Sequence, residues 1–281
     1  MRDCNNRRRA QARDVAREVS VSVWLTIPSK RPIEEAEPIL KLWDERGYNI
    51  ALWCDDFTKH EGAPFGSWYG LFGEYPGYAN AVNALIRHVI QRDLSAEWFI
   101  AAGDDVEPDM NHSAEEIETK CRAFFHQRNR DLGVGQSVGC ERIDTFGVMQ
   151  PTGDRWGESH PGKPGAYIDR VCGSAWIGRE FARRMYQGNG PLYHEYTHMF
   201  VDEELYEVAV KYGVLWQRRD LTQMHRHWGR EAPSPTNPRG LARLSNMPDF
   251  LAEANTADHW SKYKSIFERR KAQGFPGSEP L

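Results

Sequence analysis

The sequence predicts an α/β protein in which a mostly parallel central sheet is packed between layers of helices. Three apolar runs in the first third of the chain each end in polar or acidic residues, and stretches with helical spacing separate them. This alternation predicts parallel strands joined by right-handed crossovers. Ligands of such sheets bind beyond the carboxyl ends of the strands. We therefore expect the functional site at that edge.

The elements of the first third follow from their own patterns. Residues 19–27 are β-branched and alternating and are interrupted by Pro28, which predicts the first strand. Apolar residues at helical spacing predict helices, and short apolar runs predict buried strands. The further elements are a helix over 33–46, a strand over 48–54, a long loop over 62–77, a helix over 79–92 and a strand that begins at Trp98.

The remaining elements are shorter and less regular. Ser113 and Glu116 form a capping-box pattern, which predicts a helix from Ser113 to Gln127. The Gly- and Pro-rich end of the chain is expected to be disordered. Between them we expect strands or loops over 133–139 and 147–165, a strand over 170–178, helices over 179–186 and 202–212, a strand over 214–217 leading to 224–228, and a helix over 248–270.

Composition restricts the setting and the class of partner. The formal net charge of −4 gives no global reason to expect binding to nucleic acid or to a membrane surface. The five cysteines are widely spaced and include no Cys-x-x-Cys pair, which predicts reduced thiols rather than disulfides or a zinc ribbon. No apolar stretch has membrane-spanning length, and the N-terminus lacks the apolar core of a signal peptide. We expect a soluble, cytoplasmic protein whose oligomeric state stays open.

An acidic pair is the most informative motif. Gly103-Asp104-Asp105 directly follows the apolar run that begins at Trp98, and Asp109, after Pro108, could serve instead of either aspartate. Two carboxylates at the end of a buried strand suit a hard divalent cation, which prefers oxygen ligands. The alternative is an acidic turn that leads into the next helix. Neither a Gly-x-Gly-x-x-Gly motif nor a P-loop follows the first strand, which argues against an ordinary dinucleotide fold and a P-loop fold.

With these elements in this order, residues 19–230 resemble the nucleotide-sugar-dependent glycosyltransferases of the GT-A fold, especially the family 2-like group. Gly103-Asp104-Asp105 matches the position of the family's DxD element, although it is spelled Asp-Asp-Val here. The resemblance implies a GT-A (Rossmann-like) α/β/α sandwich over 19–230. A flexible N-terminal arm over 1–18 would precede it, and a helical extension with a tail over 231–281 would follow.

The resemblance implies a nucleoside-diphosphate-sugar donor, which we expect to be a UDP-sugar. Lys30 or Arg31 would neutralise the diphosphate, since guanidinium geometry suits phosphate. The full set implied to bind the donor is Pro28, Ser29, Lys30, Arg31, Asp56, Asn80, Asn83, Asp104, Gly173 and Ser174. Several of these have an alternative interpretation. Lys30 and Arg31 could be solvated charges, the two asparagines could cap a helix, and Gly173 and Ser174 could serve tight packing.

The resemblance also implies a Mn²⁺ or Mg²⁺ ion held by Asp105 and by histidines near the end of the domain. His225 and His227 alternate, so on a strand both would point to one face, and neutral imidazole binds borderline metals. Which of the two rings meets the metal stays open. Two alternatives are a pair of hydrogen-bonded surface histidines and an acceptor-binding motif at 226–228. His194 and His198 are expected to be structural.

For catalysis, the resemblance implies Asp202 as the general base of an inverting transfer, with Glu203 as the reserve candidate. Acidic residues also favour the first turn of any helix for electrostatic reasons, which is the alternative reading. A retaining reaction stays open as well. The acceptor is a hydroxyl, on a glycan or on a hydroxymethylated base in DNA. The rival functions are a nucleotidyltransferase of similar fold and a non-catalytic carbohydrate-binding protein.

Overall fold

A computed structural model describes residues 22–54, 68–139, 142–154, 171–226, 252 and 254–281. The elements in chain order are β1 (Val23–Ser29), α1 (Ile33–Glu45), β2 (Asn49–Cys54), β3 (Trp68–Phe72), α2 (Tyr78–Arg92), β4 (Trp98–Ala101), β5 (Val106–Glu107), α3 (Ala114–Asp131), α4 (Val134–Ser137), a 3₁₀ turn (Ile143–Thr145), β6 (Val148–Pro151), β7 (Ala175–Gly178), α5 (Arg179–Arg184), a second 3₁₀ turn (Met185–Gly188), α6 (Val201–Lys211), β8 (Leu215–Arg218), β9 (Met224–His225) and α7 (Ala257–Ala272).

The central sheet has seven strands in the order β3-β2-β1-β4-β7-β6-β8. Strand β7 runs antiparallel to both of its neighbours, and the other pairings are parallel. The prediction of an α/β fold with a mostly parallel central sheet is confirmed. A separate two-stranded antiparallel sheet joins β5 to β9.

The strand order reverses direction at β1. The chain moves from β1 to β2 and β3 on one side, and β4 then pairs with the other side of β1. Such a reversal leaves a crevice between the helices at the carboxyl ends of the two strands, where ligands of open α/β sheets bind. Here those ends lead to Ser29 and to Asp104.

Burial of the strands on both faces explains their apolar runs. All four residues of β4 are buried, as expected for a strand covered by helices on both sides. Helix α1 contributes the fully buried Trp43, whose indole N–H donates to the carbonyl of Val106 over 2.7 Å. This hydrogen bond ties the short strand that follows the acidic pair to the core.

Most predicted helices lie close to their expected positions. The capping box before α3 is present, with the Glu116 amide donating to Ser113 Oγ and the Ser113 amide donating to Glu116 Oε2. Helix α3 continues one turn beyond the predicted end, to Asp131. Strand β1 also continues through Pro28 to Ser29, although proline was expected to end it.

Two predictions of irregular structure are wrong. The loop expected over 62–77 contains β3, whose aromatic residues pair with β2 as the outermost strand of the sheet. The tail is not disordered, because Phe275 and Ser278 are buried and the Leu281 amide donates to the carbonyl of Arg184. One buried aromatic ring and backbone pairing outweigh a composition that favours disorder.

Other expectations meet the structure in part. Cys54, Cys121 and Cys172 are buried free thiols, as predicted for them. Within the described ranges, no helix is both long and apolar enough to cross a bilayer. The predicted N-terminal arm over 1–18 lies outside the described residues.

Candidate active site

Asp104 is held at the end of β4 by residues that follow β1. Ser29 Oγ donates to Asp104 Oδ2 over 2.5 Å, and Arg31 Nε donates to Asp104 Oδ1 over 3.0 Å. Burial raises the pKa of Asp104 and outweighs the opposing effects of Arg31 and Ser29. A half-buried acid with a raised pKa at the end of a central strand is typical of functional sites. Three residues predicted to bind the donor are therefore in contact with one another.

Lys30 lies on the same side of the sheet as these residues. Its Nζ is 5.3 Å from the centre of the Tyr75 ring, and burial together with the charge of Asp104 raises the pKa of Tyr75. No motif in the sequence pointed to Tyr75, which lies in the loop expected over 62–77. Its ring adds an aromatic wall beside the polar cluster.

Asp105 faces a histidine rather than a second carboxylate. Its Oδ1 lies 3.4 Å from His225 Nε2, and its Oδ2 lies 4.0 Å from an Nη of Arg31. A Cβ added at Gly103 would be only 2.6 Å from Asp105 Oδ1, so the glycine leaves room for the carboxylate. Asp105 and His225, which were both predicted to bind a metal, are thus side by side.

The small sheet is what brings His225 to the acidic pair. Val106 pairs with His225 across β5 and β9, and the Arg226 amide donates to the carbonyl of Asp105 over 2.6 Å. The Arg226 guanidinium also holds Glu107 through two hydrogen bonds of 2.9 Å. Asp154, which follows β6, accepts a hydrogen bond from the His225 amide. Asp154 could have been predicted by the same rule that found Asp104, because it also follows a buried strand.

Asp109 stabilises this arrangement and is not a substitute for Asp104 or Asp105. Its carboxylate is 1% exposed and accepts hydrogen bonds from the backbone amides of Asn111, His112 and Thr222. Burial alone would raise the pKa of Asp109, but these hydrogen bonds and the His112 ring lower it. The Thr222 contact joins the loop after β5 to the segment that enters β9.

We expect Asp109→Asn to destabilise the protein by about 2 kcal/mol near neutral pH, the scale of hydrogen bonds to a buried charge. Because the folded-state pKa is lowered, the ionised carboxylate stabilises the fold above its unfolded pKa of about 3.9, and this contribution is lost as pH falls through the folded value. Urea unfolding at several pH values measures it. A difference between wild type and variant that stays constant down to pH 3 would contradict this role.

Asp202 lies near the start of β7, at the same edge of the sheet as Asp104. The Cys172 amide donates to the carbonyl of Asp202 over 3.0 Å, and Gly173 and Ser174 follow directly. Ser174 has a φ of 54°, and the next residue, Ala175, pairs with Ala101 of β4. The two small residues predicted to bind the donor therefore lie between the acidic pair and the candidate base.

Two further side chains interact with both Asp105 and Asp202. Burial raises the pKa of Tyr78, and the charges of Asp202 and Asp105 raise it further. Burial lowers the pKa of His198, and the same two charges oppose that effect. Tyr78 and His198 therefore lie within electrostatic range of both Asp105 and Asp202. His198 was expected to be only structural, because no motif around it in the sequence predicts that it lies near the two aspartates.

Glu203 and Glu204 follow Asp202 in the first turn of α6 but differ in environment. Glu204 is 1% exposed and is held by Arg270, Tyr186 and Tyr196. It joins α6 to α7 and so packs part of the predicted extension over 231–281 against the domain. Glu203 is partly buried in the same turn.

Asn80 and Asn83 hold a loop. Asn83 is 2% exposed and pairs with the backbone of Leu192 through both its amide and its carbonyl group. Asn80 donates to the carbonyls of Pro76 and His194. The predicted contact of Asn83 with a nucleotide sugar does not fit this burial. Both residues fix the segment that carries His198.

Asp56 and His227, which were predicted to bind the base and the metal, lie outside the described residues. Over the described ranges no group of three acidic, histidine or cysteine side chains is close enough to hold a metal ion alone. One carboxylate and one imidazole nevertheless form a donor pair suited to Mn²⁺. Such a pair fits an ion whose remaining ligands are water and the oxygens of a diphosphate.

Comparison with protein-family models, curated proteins and solved structures found no match to this chain.

Proposed function

We propose that this protein is a metal-dependent glycosyltransferase that moves a sugar from a nucleoside diphosphate to an acceptor hydroxyl with inversion. The observation that carries the proposal is that Asp105, beside His225, and Asp202 lie at the same edge of the sheet, where Tyr78 and His198 are within electrostatic range of both carboxylates. The strand order reverses at this edge, and open α/β sheets bind nucleotide ligands at such a position. We assign the fold to the GT-A type on the same grounds.

In the proposed reaction the donor diphosphate lies beside Arg31 and Lys30. Arg31 is fixed by Asp104, so its guanidinium is already oriented when the donor binds. Preorganised cations of this kind stabilise charge that develops on a leaving group. Asp105 and His225 would hold Mn²⁺ or Mg²⁺, which acts as a Lewis acid on the diphosphate oxygens.

Asp202 is the proposed general base. Its carboxylate takes the proton of the acceptor hydroxyl while that oxygen forms a bond to the anomeric carbon. The bond from the anomeric carbon to the diphosphate oxygen breaks, and the nucleoside diphosphate leaves with the electron pair. Attack from the face opposite the leaving group inverts the anomeric centre.

A thermal-shift panel of UDP, GDP, ADP, CDP and dTDP, each with and without Mn²⁺, tests donor binding. A ligand present at 100 times its Kd stabilises the folded state by about 2.7 kcal/mol. We expect one nucleotide, most readily UDP, to raise Tm by several degrees only with Mn²⁺ present. Asp105→Asn should remove most of this metal-dependent shift.

Asp131→Asn is the matched control, since it makes the same chemical change on an exposed side chain at the end of α3. It should respond like wild type. A flat response of the wild-type protein to all nucleotides would contradict the proposal and favour a non-catalytic protein. Binding of nucleoside triphosphates with release of pyrophosphate would favour a nucleotidyltransferase instead.

A further inference from the structure

Trp260 on α7 is the one tryptophan that is exposed among the described residues. Its side chain is 46% exposed, whereas the other described tryptophans are buried or half-buried. An exposed indole that is held in place is a strong candidate for ligand contact, because it offers a large contact area at low entropic cost. Its position relative to the candidate site therefore matters.

Helix α7 is fixed against the segment that leads to Asp202. Tyr263 Oη lies 2.5 Å from Thr197 Oγ1, and the Asn255 amide lies 3.4 Å from His198 Nε2. Trp260 lies in the first turn of α7, and its ring is 6.0 Å from the ring of Phe200 and inclined to it by 54°. The indole is thus placed next to the residues that precede the candidate base.

Phe200 connects this aromatic pair to Asp202. It has a φ of 66° and directly precedes α6, whose second residue is Asp202. The left-handed conformation is unfavourable for a non-glycine residue and persists where the surrounding structure maintains it. The stacked ring of Phe267, 5.5 Å away, provides such support. The ring of Phe200 is therefore held between Trp260 and the start of α6.

The described charges around Trp260 are of both signs. Lys264 Nζ lies 4.9 Å from the indole ring and 3.6 Å from Glu268, and the nearby Lys262 and Asp258 on the same helix are exposed. Binding of a nucleic acid depends on several lysine or arginine contacts to phosphates. Among the described residues the charges beside Trp260 are balanced rather than basic, and the apolar face of a sugar ring can pack on an aromatic side chain without a charged partner.

We propose that Trp260 and Phe200 form an aromatic platform for the acceptor, and that this acceptor is a neutral carbohydrate. The role of the bound sugar as acceptor rests on the proposed function, in which Asp202 is the general base beside the platform. Sugar binding by Trp260 is itself independent of the donor. The two proposals can therefore fail separately.

The experiment measures binding of gluco-, malto-, cello- and chito-oligosaccharides to the full chain by saturation-transfer NMR, without nucleotide or metal. Wild type should bind at least one of these probes. Trp260→Ala should weaken that binding about tenfold or more, the loss expected when a central aromatic contact is truncated. Trp260→Phe should recover part of it. Leu94→Ala is the control, since Leu94 is 81% exposed in the turn before β4, at the end of that strand remote from Asp104.

The Mn²⁺-dependent shift with nucleoside diphosphates is recorded for the same variants. Loss of sugar binding with an unchanged nucleotide shift in Trp260→Ala supports the platform. Equal sugar binding by wild type and Trp260→Ala overturns it, as does a wild type that binds none of the probes. Salt-sensitive binding of a dT15 oligonucleotide that requires Trp260 would also overturn it in favour of a nucleic-acid acceptor. If no nucleotide changes the Tm but Trp260-dependent sugar binding is intact, the proposed donor site is contradicted and the sugar platform is not.

Discussion

Asp202→Asn is expected to lower turnover by about 10²- to 10⁴-fold while leaving nucleotide binding intact. Removal of a general base has this magnitude because the acceptor hydroxyl must then lose its proton without a positioned carboxylate. The amide keeps the size of the side chain, and the backbone carbonyl of Asp202 that accepts from Cys172 is unchanged. The measurement is release of UDP from a panel of UDP-sugars with an oligosaccharide acceptor, and NMR of the product gives its anomeric configuration.

Glu203→Gln separates the two candidates for the base. If Glu203→Gln abolishes turnover and Asp202→Asn does not, the base is Glu203. If Asp202→Asn loses the Mn²⁺-dependent nucleotide shift as well as turnover, the residue belongs to the donor site. Product with retained configuration would contradict the inverting assignment even if both variants behave as expected.

The sequence predicts most of the fold because its strongest signals are local. The apolar run from Trp98 and the capping box at Ser113 each specify their element without help from distant residues. Strand β3 was not predicted because it is an outermost strand in a Gly-rich, aromatic segment, where pairing with β2 determines its conformation. The ordered tail after α7 was not predicted because its conformation depends on distant partners such as Arg184.

The residues of the candidate site also differ in how well the sequence predicts them. Asp104, Asp105 and Ser29 were predictable because alternating strands and helices place the carboxyl ends of parallel strands at one edge of the sheet. His198 and Tyr78 could not, because a loop held by Asn83 and the start of α2 bring them to the acidic residues. Asn83 was predicted from its position in the family's pattern, and that position did not indicate that its side chain would be buried and bonded to the backbone of Leu192.

Arg270→Met should destabilise the protein by about 3–5 kcal/mol, the cost of leaving one member of a buried ion pair without its partner. Glu204 and Arg270 are 1% and 4% exposed, and the guanidinium donates to both carboxylate oxygens. The paired guanidinium also lies 3.3 Å from the centre of the Tyr193 ring. Denaturant unfolding monitored by circular dichroism measures the change.

The adjacent Lys271→Met is the matched control, because Lys271 makes an exposed ion pair with Glu207 on the same two helices. Such pairs contribute about 0–1 kcal/mol, so this variant should unfold close to wild type. Glu204→Leu combined with Arg270→Met should recover part of the lost stability, since replacing both charges removes the unpaired carboxylate but leaves the hydroxyls of Tyr186 and Tyr196 without their acceptor. Equal losses in Arg270→Met and Lys271→Met would show that the buried pair does not hold α7. Because α7 carries Trp260, a loosened helix would also weaken sugar binding without altering the acidic pair.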